Sequence, residues 1–388
     1  MGSEHGEENS MAGALMAQAK GIDVVYIGSI QDDRVTCVKV GSAEECHATM
    51  EKMVNNHEVD GAVTMHYPFP IGVSTVGRCI TPGRGKAMYL ANTTGTSSTD
   101  RVEGMIKNAI YGIITAKACG IAKPTIGIAN IDGARQTEAA LKELQANGYD
   151  INFATSERAD GGCVMRGNDI LTGTPDIMVM DSLTGNILVK MLAAFNSGGS
   201  YEASGWGYGP GIGEGYDPLV MIVSRASGAA VIAGALEYAG ELVRGDYRKV
   251  AAEEFKAAKK AGLQAILDAR KAKPAAEAAP AAKMPPKEVV DTAIVGIEVM
   301  DLEDAVQVLW GAEIYAESGM GCTGPVIMVS GKKLEKDVYK RQALLLLWTN
   351  YHLGRGRGSS SVTPSCGLAL SSMNLEHSAI SLLSLIHI

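Results

Sequence analysis

DIMVMDSLTGNILVK, residues 176–190, is the stretch that decides the fold class. The run Asp176–Met180 is short, apolar and unbroken, as suits a strand buried on both faces. Asp181-Ser182-Leu183 interrupts it, and Thr184-Gly185-Asn186 opens a helix expected near Gly185–Phe195, with Thr184 or Ser182 as its cap. Strand, tight glycine turn and helix in that order put the turn at the carboxyl edge of a parallel sheet, where α/β proteins hold ligands.

The same alternation continues in both directions. Apolar runs at Asp23–Gly28, Gly61–Met65, Pro124–Ala129 and Pro218–Val223 are separated by helical stretches. These helices are expected near Asn9–Lys20, Ala43–His57, Thr99–Cys119, Arg135–Asn147, Ser227–Arg244 and Tyr247–Lys271. The pattern predicts an α/β fold with a mostly parallel sheet covered on both faces. Because Gly2–Asn9 (GSEHGEEN) reads as a turn entering a helix, a further strand is expected ahead of it.

Beyond residue 271 the composition changes. Residues 272–287 contain the Ala/Pro run KPAAEAAPAAKMPPK (Lys273–Lys287), which has no core face and reads as a linker or, equally, as an exposed loop packed along the surface. Within residues 288–336, a strand at Thr292–Val299, a helix at Asp301–Trp310 capped by Asp301 and a strand at Pro325–Val329 predict a small βαβ-like module. Residues 337–388 begin DVYKRQ and show no sustained period, caps or turn logic, so they read as a non-native tail. The organisation is thus a main domain at 1–271, the linker, and the module.

The chain has 388 residues, 46% hydrophobic and 20% charged, with a net charge of −8, which suits a folded globular protein and argues against a general nucleic-acid binder. Seven cysteines at irregular spacing, without a CxxC pair, point to reduced thiols and a cytoplasmic setting, and no metal or cofactor is expected. No apolar run is long enough to cross a bilayer, so no membrane contact is expected.

Chemistry concentrates in glycine-bearing turns. Ser318–Pro325 (SGMGCTGP) sets Cys322 among glycines, where backbone N–H groups favour thiolate and an oxyanion; the alternative is a small buried residue in a turn. Thr184, Gly185 and Asn186 offer neutral donors for phosphate, against the alternative of a merely capped helix. Ser3 and His5 add donors at the first helix, although the acidic residues beside them oppose an anion. Arg78 and Arg84 lie in the stretch Val76–Lys86, read as a cationic loop, as candidates for cationic help or as ordinary surface charge. Tyr201–Tyr216 (YEASGWGYGPGIGEGY) reads as a flap or docking loop, too rich in glycine for a core.

The turn and helix Thr184–Lys190 (TGNILVK) resemble those of the phosphate acyltransferases of phospholipid synthesis, over roughly residues 1–245. That resemblance implies a two-subdomain architecture like isopropylmalate dehydrogenase, with ligand in a cleft. Gly2–Asn9, Thr184–Lys190 and Val299–Pro325 (VMDLEDAVQVLWGAEIYAESGMGCTGP) together resemble the component C α subunits of glycine, sarcosine and betaine reductases. This second resemblance implies a selenoprotein component A and a component C β subunit as partners, inorganic phosphate as acceptor, and an acetyl-cysteine at the position of Cys322. It implies release of acetyl phosphate. Two other readings compete: a phosphate acyltransferase dependent on acyl carrier protein, which has no need of Cys322, and a scaffold subunit that binds phosphate only to order itself.

Overall fold

A computed structural model describes residues 2–157, 161–271, 282–295, 302–321 and 324–331. The chain divides into two compact units, Met1–Ala279 and Pro280–Ile388.

The first unit is α/β. Helix α1 (Gly6–Gln18) leads to β1 (Val25–Gly28) and β2 (Thr36–Lys39), which pair parallel as a small sheet of their own. After α2 (Ala43–Asn55) comes β3 (Ala62–Thr64), followed by the long strands β4 (Val73–Ile80) and β5 (Ala87–Thr96). The chain continues through α3 (Arg101–Ala118), β6 (Thr125–Ala129), α4 (Ala134–Ala146), β7 (Asn152–Phe153), β8 (Val164–Met165) and α5 (Gly167–Thr172). Then come β9 (Ile177–Val179), α6 (Ser182–Ala194), β10 (Gly209–Ile212), β11 (Val220–Ile222), α7 (Ala229–Arg244), α8 (Tyr247–Lys260) and α9 (Leu263–Lys271). The large sheet runs β3-β11-β10-β4-β5-β9-β6-β7, with β8 also on β6.

One arm of that sheet, β5-β9-β6 with β7 and β8, is wholly parallel. In the other arm β10 and β4 run antiparallel to their neighbours. Both faces are covered, as the continuous apolar runs require. Helix α3 is central: Met105, Ile106, Ala109, Ile110 and Ile113 are all at most 2% exposed. Each large side chain so buried contributes about 1.5–3 kcal/mol.

Three sequence expectations are corrected here. The stretch Val76–Lys86 is not one loop: residues up to Ile80 belong to β4, and only Thr81–Lys86 turns. The Tyr201–Tyr216 stretch contains β10, all four residues of which are buried. Its glycines are there because neighbouring backbone and rings approach closely. A Cβ on Gly209 (φ +86) would overlap the Val76 carbonyl oxygen, and one on Gly211 would overlap the Phe69 ring. The expected single helix at Tyr247–Lys271 is two, α8 and α9, broken at Gly262, whose φ of 86° is left-handed.

The second unit is built from β12 (Thr292–Val295), α10 (Leu302–Gly311), β13 (Ala316–Gly321) and β14 (Gly324–Val329). Its sheet order is β12-β14-β13, with β14 antiparallel to both neighbours. β12 and β13 therefore run the same way, joined by α10, and β14 is inserted between them. This is a split βαβ unit. The sequence reading had taken β14 for the second strand and had not placed β13. Leu302, Val306, Leu309, Ala316, Ile327 and Val329 form its core. Asp301, Cys322, most of the linker and the tail 337–388 lie outside the described residues. No described helix is long and apolar enough to cross a membrane.

Candidate functional site

The carboxyl ends of β5 and β9 meet the N-terminus of α6. The helix starts at Ser182, three residues earlier than its sequence pattern suggests, because Asp181 caps it. One Asp181 carboxylate oxygen accepts the Thr184 N–H at 2.9 Å, and the other accepts the Thr184 hydroxyl at 3.0 Å. The Gly185 N–H donates to the Asp181 carbonyl at 3.0 Å. The Asn186 amide donates to the Thr93 carbonyl at 3.1 Å, tying α6 to β5. The N–H groups of Ser182 and Leu183, the first two of the helix, have no carbonyl one turn back to bond.

Gly185 is buried against β5, and a Cβ there would collide with the Asn92 carbonyl oxygen. Only glycine lets the helix sit this low on the strand. Asn92 is 2% exposed; its amide donates to the Gly95 carbonyl at 3.3 Å, while its side-chain oxygen is buried without a hydrogen-bond partner. Beneath lies a buried polar network. The Asn108 amide donates to the Met180 carbonyl at 3.0 Å, and the hydroxyls of Ser97 and Ser74 donate to its oxygen at 2.6 and 3.1 Å. The Thr93 hydroxyl donates to the Tyr208 carbonyl at 2.6 Å and lies 2.7 Å from that of Thr75.

A cation stands beside the turn. Arg101, the first residue of α3, lies 3.8 Å from the Asp181 carboxylate and 3.5 Å from that of Asp132. Sequence reading missed it, because an arginine opening a helix after Asp100 looks like ordinary helix chemistry. The signal was its place: one turn past the carboxyl end of β5.

The two arginines singled out in the sequence are engaged elsewhere. Arg78 is buried between the rings of Trp206 and Tyr238, 4.2 and 4.3 Å from their centroids, and bonds Glu241 at 2.5 and 3.1 Å. Burial alone would lower its pKa, but Glu241 overrides this and holds the guanidinium firmly charged. Arg84 is exposed at the β4–β5 turn and pairs with Glu157.

Ser3 and His5 form the entry to α1. The Ser3 hydroxyl accepts the His5 N–H at 3.1 Å, and His5 Nε2 lies 3.3 Å from the Ala226 carbonyl. The His5 ring meets Tyr201 edge-on at 5.7 Å. This turn thus faces the β11–α7 connection. There Glu202, 1% exposed, accepts from the Tyr208 and Ser227 hydroxyls at 2.9 and 2.7 Å and lies 3.6 Å from Lys190 of α6. Glu7, whose charge argued against an anion here, keeps that charge. Burial would raise its pKa, but hydrogen bonds from Ser29 and Ile30 prevail and lower it.

Four of the described cysteines, Cys46, Cys79, Cys119 and Cys163, are poor nucleophiles. Burial pushes the thiols of Cys79 and Cys119 up to about 12 and that of Cys163 up to about 11, and it raises Cys46 as well. Among the described residues no cluster of three or more His, Cys, Asp or Glu side chains could hold a metal ion.

The sequence matches the family described as "Fatty acid synthesis protein" over residues 1–328. It is 56% identical over 343 residues to the glycine/sarcosine/betaine reductase complex component C subunit alpha of Peptoclostridium acidaminophilum, covering 87% of this chain and 88% of that one. It is 23% identical over 230 residues to the phosphate acyltransferase of Thermus thermophilus, 49% of this chain and 68% of that one. A phosphate acyltransferase of Phenylobacterium zucineum is 28% identical over 96 residues, 23% of this chain and 25% of that one. Similarity of this extent settles the lineage: the chain belongs to the family of component C alpha subunits of glycine/sarcosine/betaine reductase, within the fatty acid synthesis proteins.

Proposed function

We propose that this chain works within a glycine, sarcosine or betaine reductase complex as an acetyl carrier, taking acetyl on Cys322 and passing it to inorganic phosphate. Its partners in this reading are the component C β subunit and selenoprotein component A, which delivers the two-carbon group as a carboxymethyl selenoether. The observation that carries it is the α6 turn, seated by Gly185 on β5 at the carboxyl edge of parallel strands with Arg101 alongside.

Within that turn, Asp181, Thr184 and Asn186 build the shape through their own bonds. Phosphate is met by the Ser182 and Leu183 N–H groups and by Arg101, with the Thr184 hydroxyl exchanging Asp181 for a phosphate oxygen. In this reading Ser3 and His5 are further donors, from the turn that meets Ala226 and Tyr201. A phosphate oxygen attacks the thioester carbonyl carbon, forming the C–O bond and an oxyanion that backbone N–H groups stabilise. The C–S bond then breaks, sulfur leaves with the electron pair as thiolate, and acetyl phosphate departs. The surplus phosphate proton goes to water. Holding both reactants replaces a bimolecular encounter with a positioned one.

One experiment tests this directly. After incubation with acetyl phosphate, peptide mass spectrometry should find one acetyl group on Cys322 and none on Cys79, Cys119 or Cys163. A Cys322→Ala variant that still forms acyl phosphate at the wild-type rate refutes the carrier role and favours the acyl-carrier-protein-dependent acyltransferase chemistry of the more distant relatives. Stabilisation by phosphate without any acyl turnover leaves only the scaffold reading.

A further inference from the structure

A carboxylate at the mouth of an anion site calls for a reason, and Asp181 is one. Its Oδ1 accepts the Thr184 N–H at 2.9 Å, and its Oδ2 accepts the Thr184 hydroxyl at 3.0 Å. The same Oδ2 lies 3.8 Å from Arg101, whose guanidinium is shared with Asp132 at 3.5 Å. The Asp181 side chain is 16% exposed, so water reaches it poorly. Another acceptor without a donor lies at the same strand end. The side-chain oxygen of Asn92 is buried and unpartnered, and the Asn92 carbonyl is the one on which Gly185 rests. Around this turn donors are scarce and acceptors are not.

Capping explains only half of Asp181. A cap needs one acceptor for the Thr184 N–H, and Asn, Ser or Thr supplies that as well as Asp. The second oxygen and the negative charge suit a helix N-terminus that is otherwise empty of anions, but they compete with a bound anion. The rest follows if the turn is the phosphate site, the reading on which this inference depends. A Thr184 hydroxyl has one proton to give. Once that proton turns to a phosphate oxygen, Oδ2 keeps only Arg101, and Arg101 is itself drawn to the ligand. A carboxylate oxygen left without a donor is costly, and beside an anion it is also repelled. A proton carried in by the ligand removes both penalties. Inorganic phosphate at neutral pH carries at least one O–H group. Sulfate has the same tetrahedral shape and carries none.

We propose that Asp181 is the specificity-determining residue of the α6 turn: its Oδ2 accepts a hydrogen bond from a protonated phosphate oxygen, so the turn admits phosphate and refuses sulfate. The exchange closes on itself. The Thr184 hydroxyl moves from Oδ2 to one phosphate oxygen, and a P–O–H group on a second oxygen donates to Oδ2 in its stead. Oδ1 stays on the Thr184 N–H throughout, so the helix remains capped while the ligand enters. The oxygen that attacks the thioester is a third, unprotonated one. Discrimination arises because the wrong anion leaves a charged acceptor unpaired, not because the right one gains extra contacts.

The test titrates the full chain with inorganic phosphate, arsenate and sulfate by calorimetry at constant ionic strength. Arsenate also carries a proton at neutral pH and should bind within about threefold of phosphate. Sulfate should bind about tenfold to a hundredfold more weakly, the worth of one hydrogen bond to a charged group. Asp181→Asn keeps a capping oxygen and replaces the second acceptor with a donor. It should weaken phosphate and tighten sulfate until their Kd values differ by no more than about threefold. Equal affinity for phosphate and sulfate in the wild-type chain overturns the proposal, and so does a preference that Asp181→Asn leaves unchanged. Arg101→Ala separates the proposal from the site beneath it, since it should weaken both anions alike, about tenfold, and preserve their ratio. Should Arg101→Ala alter neither Kd, or should phosphate not bind at all, the phosphate reading of the turn falls and this inference falls with it.

Discussion

Gly185 and Asn92 are in backbone contact: the first turn of α6 rests on the Asn92 carbonyl so closely that no side chain fits between them. The position of the α6 N–H groups is therefore set by the backbone of β5 rather than by α6 alone. Gly185→Ala must lift the helix or push the strand, at a cost of about 1–3 kcal/mol. That corresponds to a fall in melting temperature of roughly 2–4 °C per kcal/mol for a domain of this size. Gly198→Ala, at a left-handed glycine with open space around it, is the control for backbone strain alone. Thermal melts in which Gly185→Ala is no less stable than Gly198→Ala would dispose of the seating argument.

Arg78 gives a second expectation. Its guanidinium is 6% exposed and its partner Glu241 is 36% exposed, so removing Glu241 strands a buried charge. Glu241→Ala should cost about 2–4 kcal/mol, somewhat below the full range for a buried pair because Glu241 is partly solvated. The KM for phosphate should stay unchanged in the folded fraction, because this pair holds β4 to α7. A rise in that KM with stability intact would instead give Arg78 a part in phosphate binding.

Acid stability depends on Asp169, which is 2% exposed. Its carboxylate accepts from the Ser156 hydroxyl at 2.8 Å and the backbone N–H groups of Arg166 and Glu157 at 2.9 and 3.0 Å. Burial opposes ionisation, but these bonds prevail and the pKa is lowered. A depressed carboxylate stabilises the fold above its unfolded value, about 3.9, and that contribution is lost as pH falls through the folded value. Asp169→Asn should lower stability by about 1–3 kcal/mol at neutral pH and flatten its decline below about pH 4. Parallel acid melts with the same slope as wild type would assign the acid sensitivity elsewhere.

How much of this was legible in the sequence depends on whether the reason for a residue lies near it in the chain. The strand–turn–helix at 176–190 was readable because its cause is local: an apolar run, then capping residues, then a glycine. Its cap was misplaced because Asp181, Ser182 and Thr184 are all good capping types, and only the bond to the Thr184 N–H decides between them. β10 was read as a loop because the reason for Gly209 lies in Val76, more than a hundred residues earlier. Arg78 read as cationic help for an anion or as surface charge for the same reason, since its partners Trp206, Tyr238 and Glu241 are distant in sequence. Arg101 becomes visible only when the ends of β5 and β9 are brought together. β13 escaped because SGMG, residues 318–321, has almost no β-propensity and owes its strand form to pairing with β14.

The last expectation concerns the linker and follows from the carrier chemistry. A single cysteine that is acetylated within the partner complex and gives acetyl to phosphate must satisfy two sites, and one fixed position serves both poorly. Residues 273–287 hold four prolines and six alanines. Within this run the Ala282 N–H donates to Gln307 of α10 at 2.8 Å and Lys287 lies 3.3 Å from Glu317 of β13, so residues 282–287 already belong to the module. In the carrier reading Cys322 is loaded by the partner subunits and unloaded on phosphate, and the length of the linker tests whether these are two places. A single docked pose in another structure leaves the matter open, because a pose carries no information about populations. Shortening does bear on it. With about ten residues removed, a chain too short to span both positions should lose one half-reaction and keep the other. Loading of Cys322 by the partner complex is followed by mass spectrometry, and transfer to phosphate by release of acetyl phosphate from the loaded chain. If both rates survive the deletion unchanged, Cys322 has no need to travel, and the acetyl group is received and discharged at one place.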